Sequence, residues 1–336
     1  MAGKSGRTIS ATPQGGMKEK IFSWEGAMVL LLIVVNIFGM ILSPNYNLTN
    51  ILRESPRYLA EIFMLFGMAF ILVLGDIDIS VGSIVCLATT VGCMVSNAGS
   101  PLIVVVLACL GTGLVCGMLN GFIATQFTEL PTMIITLGTQ IIFRGIAEVA
   151  LGSGGSASME NIQGVAPLRT MVGPVPLSFF IVIICAVIFI TVLNRTTFGR
   201  KLYAIGSNST TAYYTGIEVQ KIRFFSFSLI GFLAGLCGLF LLASTYGANT
   251  TTGNGFEMEV IAMCVFGGIA TTGGKGNIIG GFIAAFIIVC LRIAFGQINM
   301  NTQLILVIIG AMLIISVLIP AITNAVKRSG KKKGAV

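Results

Sequence analysis

The chain has no histidine. That removes the side chain most often used to shuttle protons near neutral pH, and the commonest metal ligand. Charge is nearly as scarce. Only 10% of the 336 residues are Asp, Glu, Lys or Arg, against about a quarter in an ordinary soluble domain. So little charge cannot cover a water-facing surface of this size, so most of the chain must be solvated by lipid. Cys-x-x-Cys pairs are also missing. The eight cysteines, Cys86, Cys93, Cys109, Cys116, Cys185, Cys237, Cys264 and Cys290, all fall in apolar segments. This argues against a metal or redox centre and leaves them as small packing residues. No metal and no cofactor is expected.

What the chain does have is apolar sequence. Hydrophobic residues make up 55% of it, and the mean hydropathy is +0.96. The 42 glycines sit mostly inside apolar runs, where small residues let helices approach closely in lipid. Runs long enough to cross a bilayer fall at about 27–43, 58–75, 80–97, 102–124, 131–151, 174–193, 224–245, 257–272, 277–296 and 302–320. The expected fold is therefore an all-α polytopic membrane protein of about ten spans. The first run is followed by Ser43-Pro44-Asn45, without a small-x-small cleavage site, and reads as a retained span, not a removed signal.

Charge distribution supports an even span count. Fifteen of the 20 basic residues fall on one side of this layout: Lys4, Arg7, Lys18, Lys20, Arg195, Arg200, Lys201, Lys221, Arg223, Lys275, Lys327, Arg328, Lys331, Lys332 and Lys333. The opposite loops hold Arg53, Arg57 and Arg169, while Arg144 and Arg292 fall within spans. By the positive-inside rule, both termini are cytoplasmic. The expected organisation is a cytoplasmic tail at 1–26, a membrane domain at 27–320 and a basic cytoplasmic tail at 321–336. The net charge of +8 reads as topology and contact with membrane lipid, not as nucleic-acid binding. Residues 152–173 form an outer loop. Residues 194–223 form an inner loop long enough for short helices, either a docking surface for a soluble partner or a solvated connector.

Few segments carry polar chemistry. Gly75-Asp76-Ile77-Asp78-Ile79-Ser80-Val81-Gly82-Ser83 places two carboxylates and hydroxyls between apolar runs. A charge at mid-bilayer costs about 2.5–3.5 kcal/mol on insertion scales. The segment is either a turn at the inner surface or an unwound stretch lining a polar cavity, flanked by glycines. Gly267-Gly268-Ile269-Ala270-Thr271-Thr272-Gly273-Gly274-Lys275-Gly276, followed by Gly280-Gly281, fails the phosphate-binding loop pattern: Ile269 stands where Gly is required, and Gly276 where Ser or Thr is. It reads as a tight helix–turn–helix, and no ATPase is visible in the chain. Gly255-Phe256-Glu257-Met258-Glu259 opens the eighth span, either complementing a helix dipole or lining an outer mouth. Arg144 and Glu148, four apart on one helix face, could pair, or Arg144 could snorkel outward. Arg292 is expected to snorkel. Asn120 and Gln140 read first as interhelical hydrogen-bond partners.

At these residues the chain resembles a known family, the ribose/simple-sugar branch of bacterial ATP-binding-cassette (ABC) importer permeases, related to the branched-chain amino-acid permeases. The resemblance covers about residues 27–320. It is carried by the Gly75–Ser83 block, by Pro131-Thr132-Met133-Ile134-Ile135-Thr136-Leu137-Gly138, and by the Gly267–Gly281 block. The inner loop carries it too, through Phe198-Gly199-Arg200, Ala204-Ile205-Gly206-Ser207-Asn208 and Gly216-Ile217. That loop departs from the family at one place, with Thr211-Ala212 where an Ala-Ala pair is usual. The resemblance implies an ATPase-coupling loop built on Gly199, Arg200, Asn208, Ala212, Gly216 and Ile217. The expected translocation path or hinge consists of Asp76, Asp78, Ser80, Gly82, Asn120, Thr136, Gly267, Gly268, Gly273 and Gly274. The implied partners are cytoplasmic ABC ATPase subunits, a second permease copy or paralogue, and an extracytoplasmic solute-binding protein. The implied cargo is a monosaccharide or sugar-like solute such as autoinducer-2. The chain would then be a transport subunit, not an enzyme, in the bacterial inner membrane. The rival reading is an ion-coupled secondary transporter using Asp76, Asp78 or Glu148.

Overall fold

The computed structural model describes residues 24–301, 303–305, 307–308, 310–311 and 314. The expected C-terminal tail, most of the N-terminal tail and the end of the tenth span lie outside the described residues. The elements are α1 (Trp24–Leu42), α2 (Leu48–Glu54), α3 (Pro56–Leu74), α4 (Val81–Asn97), α5 (Leu102–Gln126) and α6 (Thr132–Leu151), then α7 (Leu177–Arg195), α8 (Thr197–Ser207), α9 (Ser209–Tyr214), α10 (Val219–Thr245), α11 (Phe256–Phe266) and α12 (Ile278–Gln297). Four short strands, β1 (Ser156–Ser158), β2 (Met171–Val172), β3 (Val175–Pro176) and β4 (Gly247–Asn249), lie in the connections. β2 and β3 form a hairpin. β1 pairs antiparallel with β4, Ala157 opposite Ala248, and so ties the connection after α6 to the one after α10.

Among the described residues, six helices, α3, α5, α6, α7, α10 and α12, are long and apolar enough to cross a membrane. Two shorter apolar helices, Gly26–Leu42 within α1 and Val81–Asn97, accompany them. The expected eighth span, 257–272, is not a continuous helix. α11 has 11 residues, about 16 Å at the α-helical rise and roughly half the hydrocarbon thickness. It stops at Gly267-Gly268, where Gly268 has φ +93°, outside the right-handed helical region.

Apart from Arg57 and Glu61, α3 is apolar all round, and every residue from Leu59 to Leu74 is buried. A helix of that kind belongs at the centre of a bundle. α5, α6 and α7 instead expose large apolar side chains such as Leu107, Ile141 and Val187, the surface that contact with lipid requires. α5 and α10 approach closely. Gly113 and Gly117 of α5 lie on Gly231 and Gly235 of α10, backbone against backbone; a Cβ at Gly117 would overlap the Phe227 carbonyl, and one at Gly231 the Gly113 carbonyl. Four-residue spacing of small residues on both helices makes this approach possible.

α8 and α9 lie at one end of the bundle, beside the turn that joins α11 to α12. The two small sheets and α2 lie at the other. α8 turns its Gly199, Leu202 and Ile205 inward and leaves Arg200 and Lys201 exposed.

Candidate functional site

α3 ends at Gly75, whose φ of +85° only glycine adopts without strain, and the chain then runs non-helically to Ser80. Asp76 accepts from Arg223 Nε at 2.8 Å and Nη2 at 3.4 Å, and from the Thr132 hydroxyl at 3.3 Å. Arg223 lies in the second turn of α10. One carboxylate therefore joins the end of α3 to the beginnings of α6 and α10. Asp78 is fully buried. Its Oδ1 accepts from the Ser80 amide at 2.9 Å and the Ser80 hydroxyl at 2.7 Å, and Asn120 Nδ2 donates to that hydroxyl at 2.7 Å. The Ile79 amide donates to Thr136 Oγ1 at 3.2 Å. Side chains from α5 and α6 thus satisfy backbone and side-chain groups that an unwound segment leaves open.

A second non-helical stretch meets this one. The chain leaving β4 folds back into the bundle, where Arg144 Nη1 donates to the Thr250 and Thr252 carbonyls at 2.7 and 2.8 Å. Gly82 then lies against Gly253, and a Cβ at Gly82 would collide with the Gly253 carbonyl and the Glu257 carboxylate. The first turns of α4 and α11 therefore touch inside the protein. Glu257 Oε2, Asp78 Oδ2 and Asn120 Oδ1 are buried there without a hydrogen-bond partner among the described residues. Backbone breaks of this kind, with helix N-termini directed inward, are a known way to place polar groups along a membrane path.

The α8–α9 arm packs on the same centre from its own end. The Gly274 amide donates to the Val73 carbonyl at 2.9 Å, and Gly273 lies on Gly75. Gly206 of α8 fits over both, since a Cβ there would overlap the Val73 carbonyl and come within 2.5 Å of the Gly274 nitrogen. Tyr203 also donates to the Gly276 carbonyl at 2.7 Å. Asn208 caps α9 by accepting from the Thr211 amide at 2.8 Å. The arm turns back at Gly216, φ +83°, which has open space around it, and Tyr213 and Tyr214 project outward, 68% and 81% exposed. Beside them the Glu218 carboxyl is held below the usual carboxylate range by a hydrogen bond from Lys221, whose Nζ lies 2.5 Å away.

The model of the family described as branched-chain amino acid transport system / permease component matches residues 57–317. The chain belongs to this family. The permease is 32% identical to the autoinducer 2 import system permease protein LsrD of Photorhabdus temperata, over 88% of this chain and 90% of that protein. It is 31% identical to the ribose import permease protein RbsC of Bacillus subtilis, over 90% and 93%. It is 33% identical to the autoinducer 2 import system permease protein LsrC of Yersinia pseudotuberculosis, over 78% and 74%. No solved structure matches the permease. It is a multi-pass ABC importer permease of the bacterial inner membrane.

Of the expected path residues, Asp76, Asp78, Ser80, Asn120 and Thr136 converge around the 75–80 segment, with Gly82 one turn beyond. Gly273 and Gly274 lie beside Gly75. Gly267 and Gly268 are set apart, where Gly267 packs on Gly280 and Gly281. Of the expected coupling residues, Arg200, Asn208 and Gly216 are exposed, whereas Gly199 and Ala212 are buried within the arm's own packing and Ile217 is half-buried. Two expectations are corrected. Arg144 makes no ion pair with Glu148 among the described residues; its Nη1 donates instead to the 250 and 252 carbonyls. Arg292 does not snorkel; its Nη1 donates to Glu61 at 2.8 Å and its Nη2 to Glu259. The sequence reading missed Arg223, Gly206, Tyr203 and Glu61 as parts of these sites. A buried acid in an otherwise apolar span was the available signal for Glu61.

Proposed function

We propose that the permease moves a monosaccharide or a related small sugar-like solute into the cell, with energy supplied by cytoplasmic ABC ATPase subunits. The observation that carries this reading is similarity along nearly the whole length to permeases named for ribose and autoinducer 2 import. ATP hydrolysis occurs in the partner, not in this chain. The α8–α9 end is cytoplasmic because it holds Arg195, Arg200, Lys201, Lys221, Arg223 and Lys275, which also makes both termini of a ten-span chain cytoplasmic. The exposed Tyr213–Tyr214 tip is the surface offered to the ATPase. A second permease copy or paralogue completes the path, lipid covers the faces of α5, α6 and α7, and an extracytoplasmic solute-binding protein delivers the cargo to the opposite end. The 75–80 segment, with Gly82, Asn120, Thr136 and the glycines at 267, 268, 273 and 274, forms the path or its hinges. Movement of the arm reaches that segment through Gly206 and Arg223.

An ion-coupled carrier needs a carboxylate free to exchange its proton or cation. Asp76 is instead neutralised by Arg223, Glu148 is on an exposed helix face, and Asp78 is held through Oδ1 by the Ser80 amide and hydroxyl. The test is reconstitution in proteoliposomes with the ATPase and binding protein. ATP-dependent uptake of radiolabelled D-ribose or another monosaccharide is expected. Uptake driven by a proton or sodium gradient without the ATPase would overturn the reading.

A further inference from the structure

A cavity of ≈ 500 Å³ opens at the sheet-bearing end of the bundle, within the range of about 300–1,000 Å³ typical of small-molecule sites. Its charged wall is unusual for a membrane domain. Arg292 from α12 bridges Glu61 of α3 and Glu259 of α11, and its guanidinium carbon lies 5.8 Å from the centre of the Tyr58 ring. Charges in such a place are costly unless paired, and they mark function more often than stability. Arg57 lines the same cavity, so two guanidinium groups face two carboxylates and the wall has no formal net charge. Neither a free anion nor a free cation is selected by it.

Glu61 is buried to 3% exposure, and its Oε2 has no hydrogen-bond partner among the described residues. A buried acceptor in that state calls for a donor. Arg292 has five N–H donors, two of which are used on the carboxylates. Asn254 adds an amide to the lining, and Tyr58 and Phe256 add aromatic rings. Leu241 and Ile305 add apolar surface. A polyol has hydroxyls that both donate and accept, and a C–H face that stacks on a ring.

We propose that this cavity is a subsite for one uncharged polyhydroxylated molecule of monosaccharide size. Glu61 accepts from one solute hydroxyl, Arg292 donates to another, and a ring of Tyr58 or Phe256 covers the C–H face. The inference rests on the importer reading above and states where in the chain the solute is held.

The experiment uses the full chain in detergent micelles and saturation-transfer NMR with millimolar D-ribose, D-xylose, D-glucose, D-galactose and L-leucine. At least one sugar is expected to give saturable transfer, and leucine none. Glu61→Gln preserves size and removes the charge, and should weaken sugar binding about tenfold or more. Asn254→Leu lies outside the ion-pair cluster, narrows the cavity and should weaken binding with the melting temperature unchanged, so the test survives if the first variant folds poorly. Thr210→Ala, at the opposite end, should leave binding intact. Undiminished binding in both cavity variants, preference for leucine, or no transfer from any sugar to the folded wild-type chain overturns the subsite. The importer reading is judged separately in proteoliposomes. Sugar uptake by wild type that is unaltered in both cavity variants removes the subsite and leaves the importer standing, whereas absence of any ATP-dependent sugar uptake by wild type removes the importer reading.

Discussion

Arg223 and Asp76, 147 residues apart in the sequence, are joined by a hydrogen bond of 2.8 Å from Nε to Oδ2. The pair is mostly shielded, with side-chain exposures of 18% and 9%. It lies where the end of α3, the start of α6 and the first turns of α10 meet.

Breaking such a pair from one side leaves a charge without its partner. Asp76→Asn or Arg223→Met alone should each destabilise the solubilised chain by about 3 kcal/mol, and the double variant by less than the sum. Unfolding of all four proteins in mixed micelles measures the coupling; strictly additive losses would show that the contact is energetically idle.

Gly216 is left-handed, φ +83°, with open space around it. Asn tolerates that conformation and bulky residues do not. Gly216→Asn should keep ATP-dependent uptake, whereas Gly216→Trp should insert normally yet lose most of it. Equal uptake by the two variants would remove the arm's tip from the coupling mechanism.

Gly206 has the Val73 carbonyl and the Gly274 amide where a side chain would go. Gly206→Ala overpacks this contact, at a cost of about 1–3 kcal/mol. Amide hydrogen exchange in α8 and at 273–276 should accelerate by roughly tenfold or more, with little change in α5. An unaltered exchange pattern would mean that α8 is not seated on the turn.

Arg144 holds two carbonyls of the returning segment at 250 and 252. Arg144→Met should loosen 250–255, with exchange there rising about tenfold or more. Glu148→Gln should change nothing. A comparable effect from Glu148→Gln would restore the pairing of these two residues that their spacing suggested.

The spans that were legible in the sequence are those whose apolar length alone decides the matter. α5, α7 and α12 begin and end within a few residues of their hydropathic runs. α11 was overestimated because hydropathy sums the apolar residues on both sides of Gly267-Gly268 and does not register the backbone break between them. The 75–80 segment was legible as a conflict, two acids bracketed by glycines. Its resolution was legible only in part: Asn120 and Thr136 were expected beside it, whereas Arg223 reaches it from α10 and no local pattern encodes that distance. Arg292 was misread for the same reason. Snorkelling is the cheapest solution for an isolated arginine, and only the folded chain brings Glu61 and Glu259 to it. The glycines of α5 and α10 could be read as packing residues, but their pairing across two helices could not.

That pairing has a mechanical consequence. Where Gly113 and Gly117 meet Gly231 and Gly235, no side chain stands between the two backbones, so no rotamer can yield when force is applied. α5 and α10 have to travel together as one beam. In the proposed transport cycle, flexure falls to the joints at 75–80 and 267–277, where no helical hydrogen-bond ladder stiffens the chain.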